Sequence, residues 1–306
     1  MNAIILTDGK AGHENQSKAF ARALGCGATL VPVQFKSKVH KSLSYLFDRV
    51  GVRTLSLFRP FDAPAAADVV VVGTGSGTFY AAKSLARRLN AKCGVVLYPR
   101  GYDIKSFDCV MAPSFDSPSK AANVVEIPAN LVASDEAFYE KGVAAFREKY
   151  SPSDRKAVAV IVGGPNKCSA MSAEWMRARL DEIFAANKGC EMWVTTSRRT
   201  PADVEAVVDS YGWDYRLIYS RDHFNPIPAF VKLADRLYVT AESTGMLSEA
   251  CTFGSAEVVP LDNLNPGPHK FRRFVEGLVE AGYANGRRKI DLSSQFASAR
   301  RLLFGE

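Results

Sequence analysis

The stretch from Leu233 to Pro260 holds the residues best spaced for chemistry in this chain of 306 amino acids. Asp235 closes a helical pattern, Arg236 to Thr240 is apolar and β-prone, and Glu242, Ser243, Thr244 and Gly245 open a new apolar helix. A strand, a small-residue turn and a helix start present unpaired backbone N–H groups and the positive end of a helix dipole, which favours an anion such as a diphosphate. Ser243, Thr244 and Gly245 permit close approach. Glu249, six residues after Ser243, is spaced to meet a second part of the same ligand, for instance ribose hydroxyls. The same stretch also reads as a helix capped by Ser243 or Thr244 with Glu249 solvated.

Two further strand ends point the same way. Gly163 to Lys167 (GGPNK) is a glycine turn with a cation directly after the apolar run from Ala157, and Gly164 and Lys167 are candidate phosphate contacts. Thr196 to Pro201 (TSRRTP) places Ser197, Arg198 and Arg199 at another strand end, before a proline suited to a first helical turn. A guanidinium can hold a diphosphate bidentately, which an ammonium cannot. The alternative for either arginine is a surface ion pair.

The N-terminus carries a second cluster. Ala3 to Thr7 is an apolar strand, followed by DGKAGHENQS and a helical pattern through Phe20 and Leu24. Gly9 and Gly12 are expected to turn the backbone sharply towards a ligand. Asp8 and His13 are candidates for removing a proton, and Lys10, Gly12 and Asn15 for contacting an acceptor. A lone loop histidine also reads as structural or merely exposed, and the spacing fits neither GxGxxG nor Walker A. After the strand Asp68 to Gly73, a second small-residue helix entrance carries Gly75 and Ser76, again candidates for acceptor contact.

These clusters need strands to position them. Near-continuous apolar strands alternating with helices imply parallel sheets covered on both faces. The pattern runs twice, separated by a polar helical segment from Ala133 to Ser153 that reads as a linker, so two α/β domains are expected, 1–150 and 151–306.

Composition limits the function classes. With 47% hydrophobic and 23% charged residues the chain is ordinary globular material. Six scattered cysteines without CxxC spacing indicate neither a zinc site nor a disulfide framework, and no signal peptide or membrane-spanning run is read, so a cytoplasmic location is expected. Of the formal net charge of +7, much is local: Gln34 to Phe61 holds six Lys or Arg against one Asp. There Lys36, Lys38, Lys41, Arg49, Arg53 and Arg59 interleave with Leu43, Leu46, Phe47, Leu55, Leu57 and Phe58, which suits either an anionic membrane surface or a core-packed helix with a solvated basic face. Nucleic acid is not expected, because no reading module is visible.

LTDGKAGHENQS, GGPNK, VTTSRRTP and LADRLYVTAESTGMLSEA, in order from residue 4 to about 282, resemble bacterial members of the family named after the plant mitochondrial-fission factor Elm. That resemblance implies a GT-B glycosyltransferase fold: two Rossmann-like domains facing across a cleft, with a nucleotide-diphosphate sugar held mainly by the C-terminal one. GKAGHENQSKAFARAL is similar in placement to the N-terminal glycine loop of the peptidoglycan N-acetylglucosaminyltransferase, and ESTGMLSEACTFG resembles its donor-site segment. The implied function is metal-independent, inverting transfer of a sugar to a lipid-linked or glycan acceptor at the inner membrane, with no cofactor. Two alternatives stand beside it: a nucleotide-sugar epimerase of the same fold, and a non-enzymatic adaptor for a membrane or a dynamin-like partner.

Overall fold

The computed structural model describes residues 1–64 and 69–305; Asp68, expected to begin a strand, lies outside them. The chain divides into two compact units, Met1–Ala133 with Asp291–Glu306, and Ser134–Ile290.

The first unit is built on six parallel strands: β1 (Asn2–Thr7), β2 (Gly27–Pro32), β3 (Val69–Thr74), β4 (Lys92–Val96), β5 (Cys109–Pro113) and β6 (Val124–Ile127), in the order β2-β1-β3-β4-β5-β6. Alternate strand residues point to opposite faces, and each face has its own core. Ile4, Leu6, Val71, Val95 and Val110 pack with Phe79, Tyr80 and Leu85 of α3 (Phe79–Leu89), whereas Ala3, Ile5, Val72, Val96 and Met111 pack with Phe20 and Leu24, on and just after α1 (Ala11–Ala23). This double coverage is why the strands lack polar alternation.

The basic segment forms α2 (Lys38–Arg49) and the chain leading to β3. Leu57 and Phe58 are buried, Leu43, Phe47 and Leu55 pack against the first core, and Phe58 stacks on Phe35 with ring centroids 4.2 Å apart. Of the two readings of this segment, core packing holds for five of the six apolar residues, and only Leu46 among them stands out into solvent. No described helix is long and apolar enough to cross a membrane.

The second unit has five parallel strands, β7 (Ala157–Ile161), β8 (Glu191–Thr195), β9 (Tyr215–Leu217), β10 (Arg236–Thr240) and β11 (Glu257–Leu261), in the order β11-β10-β7-β8-β9. Its helices are α4 (Glu136–Lys149), α5 (Ala173–Ala186), α6 (Ala202–Asp209), α7 (Ile227–Leu233), α8 (Thr244–Phe253) and α9 (Lys270–Glu280). The segment expected to be a linker is α4, which packs on α7 through Tyr139 and Phe146. Phe146 is fully buried, 5.4 Å from Trp193, 5.9 Å from Phe230 and 4.7 Å from Tyr215 by ring centroids. The unit therefore begins before the expected 150/151 boundary. Its sequence looked like a linker because only these two of fourteen helix residues are buried.

The chain then returns to the first unit in α10 (Ser293–Phe304), an element the sequence reading did not separate. Ala299 and Leu303 are buried in the second face of the first core, and Arg300 Nη1 donates to the Leu24 carbonyl at 2.6 Å.

All three tryptophans, Trp175, Trp193 and Trp213, lie in the second unit, so their fluorescence reports on it alone. Phe146→Ala is expected to destabilise that unit by about 3–5 kcal/mol. Urea unfolding followed by tryptophan emission would show a lowered midpoint; an unchanged midpoint would place α4 outside the core.

Candidate functional site

In the second unit β10, β7 and β8 are neighbours and parallel, so their carboxyl ends share one edge. The turns leaving them are tied together. Thr240 Oγ1 accepts the Gly163 N–H at 2.9 Å, and Glu242 Oε1 accepts the Gly164 N–H at 2.8 Å and the Thr240 hydroxyl at 3.0 Å. Glu242 Oε2 accepts from Asn263 Nδ2 at 2.7 Å, in the turn after β11. On the other side Thr200 Oγ1 donates to the Gly163 carbonyl at 2.6 Å and accepts from the Ser197 N–H at 2.8 Å.

Two glycines are obligatory in this arrangement. A Cβ at Gly163 would lie 2.0 Å from Glu242 Oε1, and one at Gly164 would lie 2.2 Å from the Arg199 carbonyl oxygen. Gly164 thus lets the turn after β8 close on the turn after β7. The edge also carries exposed cations, Lys167, Arg198 and Arg199, and the start of α8. Ser243 precedes that helix without a side-chain cap, its first turn has no acidic residue, and a Cβ at Gly245 would meet nothing within 4 Å. A helix start and nearby guanidinium groups can hold a diphosphate. Glu242 presents no free oxygen to that surface, because it is 3% exposed and both its oxygens are engaged.

Glu249 lies one turn further along α8. It is half-buried and accepts from the Tyr139 hydroxyl of α4 at 3.3 Å. Burial raises its pKa, against the lowering effect of the Tyr139 hydrogen bond. The reading of Glu249 as a solvated carboxylate is thereby excluded. Tyr139 was not foreseen as its partner, since 110 residues separate them.

The first unit brings together the N-terminal cluster. His13 lies in the first turn of α1, with Nδ1 at 3.0 and 3.1 Å from the two carboxylate oxygens of Asp8. Lys10 Nζ is 3.1 Å from Asp8 Oδ2. Burial acts to raise the Asp8 pKa, but hydrogen bonds and charge from Lys10 and His13 outweigh it and lower the value. A carboxylate only accepts, so Nδ1–H must donate, and Nε2 is left as the ring nitrogen that takes a proton. Asp8 thus orients the His13 ring and leaves Nε2 as its free acceptor position.

The turn after β3 shapes this pair. Gly75, at φ +82°, would place a Cβ 2.4 Å from His13 Cε1, and Gly77 one 2.9 Å from Asp8 Cβ. Both glycines are gaps that the pair fills. Ser76 accepts from Lys41 Nζ of α2 at 2.9 Å. Gly9 has φ +78° and turns the chain as expected, but Gly12 lies inside α1, so its expected role in a sharp turn is corrected. Asn15 is exposed on α1. Beside Asp8, the ends of β1 and β2 border a recess of about 450 Å³ lined also by Gln34, Arg59 and Pro60, from the segment read from sequence only as a basic, apolar surface or core helix.

Among the described residues no group of three or more His, Cys, Asp or Glu is placed to hold a metal ion.

Residues 11–295 match the family model described as Mitochondrial fission ELM1. The chain belongs to this family. It is 25% identical over 242 residues to the mitochondrial fission protein ELM1 of Arabidopsis thaliana, covering 70% of this chain and 56% of the plant protein, so it spans little more than half of that relative's length. Among solved structures, it is similar to a UDP-GlcNAc 2-epimerase from Neisseria meningitidis bound to UDP-GlcNAc (TM-score 0.52, 12% identity, 100% of this chain and 99% of that one). It is also similar to MurG from Acinetobacter baumannii (TM-score 0.50, 14% identity, 99% and 92%) and to S. aureus MnaA with UDP (TM-score 0.50, 14% identity, 99% and 88%). At these identities the similarity establishes the fold: two Rossmann-like units of GT-B type.

Two predictions test this geometry. Gly12→Ala is expected to stabilise the protein by about 0.4–1 kcal/mol, and Gly75→Ala to destabilise it by more than that while displacing the His13 ring; thermal denaturation and imidazole NMR check both. Glu249, with its folded pKa raised, holds a proton that the unfolded chain releases, so stability falls as pH rises from the ordinary carboxylate range through the raised value. Glu249→Gln is therefore expected to melt above wild type at about pH 7.5, with the gap closing towards about pH 4.5. A gap independent of pH would mean that Glu249 is not a strained carboxylate.

Proposed function

We propose that this protein is a metal-independent enzyme acting on a nucleotide-diphosphate sugar. The diphosphate would be held by Gly164, Lys167, Ser197, Arg198, Arg199 and the Ser243 to Gly245 helix start, the ribose by Glu249, and the proton taken by His13 with Asp8 orienting it. The observation that carries this reading is the bonding of three strand ends in the second unit into one edge that carries exposed cations and the start of α8. The fold similarity to nucleotide-sugar enzymes supports it.

Isomerisation of the bound sugar is the reading supported by the likeness to the UDP-GlcNAc 2-epimerase from Neisseria meningitidis. It needs a base and no second substrate. A second reading, transfer to an acceptor hydroxyl, is favoured by the recess beside Asp8, which has room for an acceptor next to the pair. Lys10, Gly12, Asn15, Gly75 and Ser76 would serve as acceptor contacts in that reading. A lipid-linked or glycan acceptor at an anionic inner-membrane surface would then be met by the part of α2 and its following turn that stays exposed, Val39, Leu46, Val50 and Val52 with Lys36, Lys38 and Arg49.

Calorimetry with a panel of nucleoside diphosphates and their sugars tests the site. The wild type is expected to bind at least one, and Arg198→Ala or Arg199→Ala to weaken it about 10- to 100-fold. His13→Ala should leave that affinity intact and lower turnover about 10²- to 10⁴-fold. A new sugar isomer formed from the donor alone supports the epimerase; a product only when an acceptor is added supports the transferase. Binding of none of the panel would overturn both and favour a non-enzymatic adaptor.

A further inference from the structure

The first unit has another recess at the opposite edge of its sheet, where the chain enters β4 and β5. It measures about 330 Å³ and is lined by Gly51, Arg53, Lys83, Arg87, Cys93 and Asp108 among others. Behind it lies a buried charge cluster. Lys83 Nζ sits 2.8 and 3.0 Å from the two oxygens of Asp48 and donates to the Asp103 carbonyl at 2.6 Å, while Arg53 Nη1 is 3.3 Å from Asp48 Oδ1. The side chains of Lys83, Asp48 and Arg53 are 1%, 0% and 10% exposed. Two buried cations thus share one carboxylate.

The other charges on the lining do not restore the balance. Asp108 is engaged by Lys92 Nζ at 3.0 Å and by the Cys93 N–H at 2.8 Å. Arg87 adds a third cation, its Nη1 reaching the Gly51 carbonyl at 3.5 Å. Burial is the main cause that lowers the Lys83 pKa and Arg53 adds to it, while Asp48 and Asp103 act to raise it. Surplus buried charge is costly unless something neutralises it.

We propose that this recess binds a phosphomonoester, with Arg53 and Arg87 supplying guanidinium donors and Lys83 a fixed charge behind them. The volume is near the lower limit for small-molecule sites, which suits a headgroup the size of glycerol 3-phosphate. Such a group comes either from a soluble ester or from a lipid, and Val50 and Val52, 65% and 42% exposed on either side of Gly51, offer an apolar rim for the latter. The site is independent of the proposed nucleotide-sugar chemistry.

The probes are glycerol 3-phosphate in a thermal-shift titration and cosedimentation with phosphatidylcholine vesicles, with and without phosphatidic acid. Arg87 is exposed, so Arg87→Gln is expected to fold with an unchanged ligand-free melting temperature, and Arg53→Gln serves as a second variant. The wild type is expected to be stabilised by glycerol 3-phosphate, with affinity about tenfold weaker in Arg87→Gln. Additional retention on phosphatidic acid vesicles that depends on Arg87 assigns a lipid headgroup; stabilisation without retention assigns a soluble ester. The proposal is overturned if neither probe binds, if binding is the same in both variants as in the wild type, or if Arg198→Ala abolishes it and Arg87→Gln does not.

Discussion

One buried carboxylate sets the geometry of the second unit's working edge. Glu242 takes hydrogen bonds from the Gly164 backbone, the Thr240 hydroxyl and the Asn263 amide, and so fixes the turns after β7, β10 and β11 against one another. A carboxylate removed from water survives only when its oxygens are satisfied this fully. Its position forbids a side chain at Gly163, and the matching approach of Arg199's backbone forbids one at Gly164. The cations and the start of α8 are therefore carried on turns whose main chain has little freedom, which is the condition for electrostatic stabilisation of a developing charge.

The first unit meets the same requirement by steric means. Its Asp8–His13 pair is held by ion pairing on one side and by absent side chains at Gly75 and Gly77 on the other. Asp8, kept ionised by Lys10 and His13, selects the tautomer of the imidazole. Hydrogen bonding and packing act together here: the carboxylate decides which nitrogen is protonated, and the glycine turn decides where the ring can lie.

Below both edges the architecture is ordinary parallel α/β, and the sheets are stabilised by apolar faces on either side. The basic segment joins the first core by the same logic. Once Leu57 and Phe58 are buried, Asp48 is carried inside, and Lys83 and Arg53 follow it. A charge run that looked like a surface feature thus supplies a buried ion cluster, because the helix bearing it is amphipathic on a face that the charge count does not show.

The sequence by itself determined the parallel α/β class, most strands to within a few residues, the glycine and cation turns at the strand ends, and the closeness of Asp8 and His13 after β1. These are local properties: apolar runs, turn residues and short spacings leave a direct mark on the chain. Tertiary structure alone decided that α4 belongs to the second unit and α10 to the first, that Tyr139 meets Glu249, that Glu242 is a buried tie, and that Gly75 and Gly77 exist to make room for His13 and Asp8. Each of these joins residues tens to hundreds of positions apart, and a sequence pattern carries no record of which distant surface a half-buried helix or a missing Cβ will face.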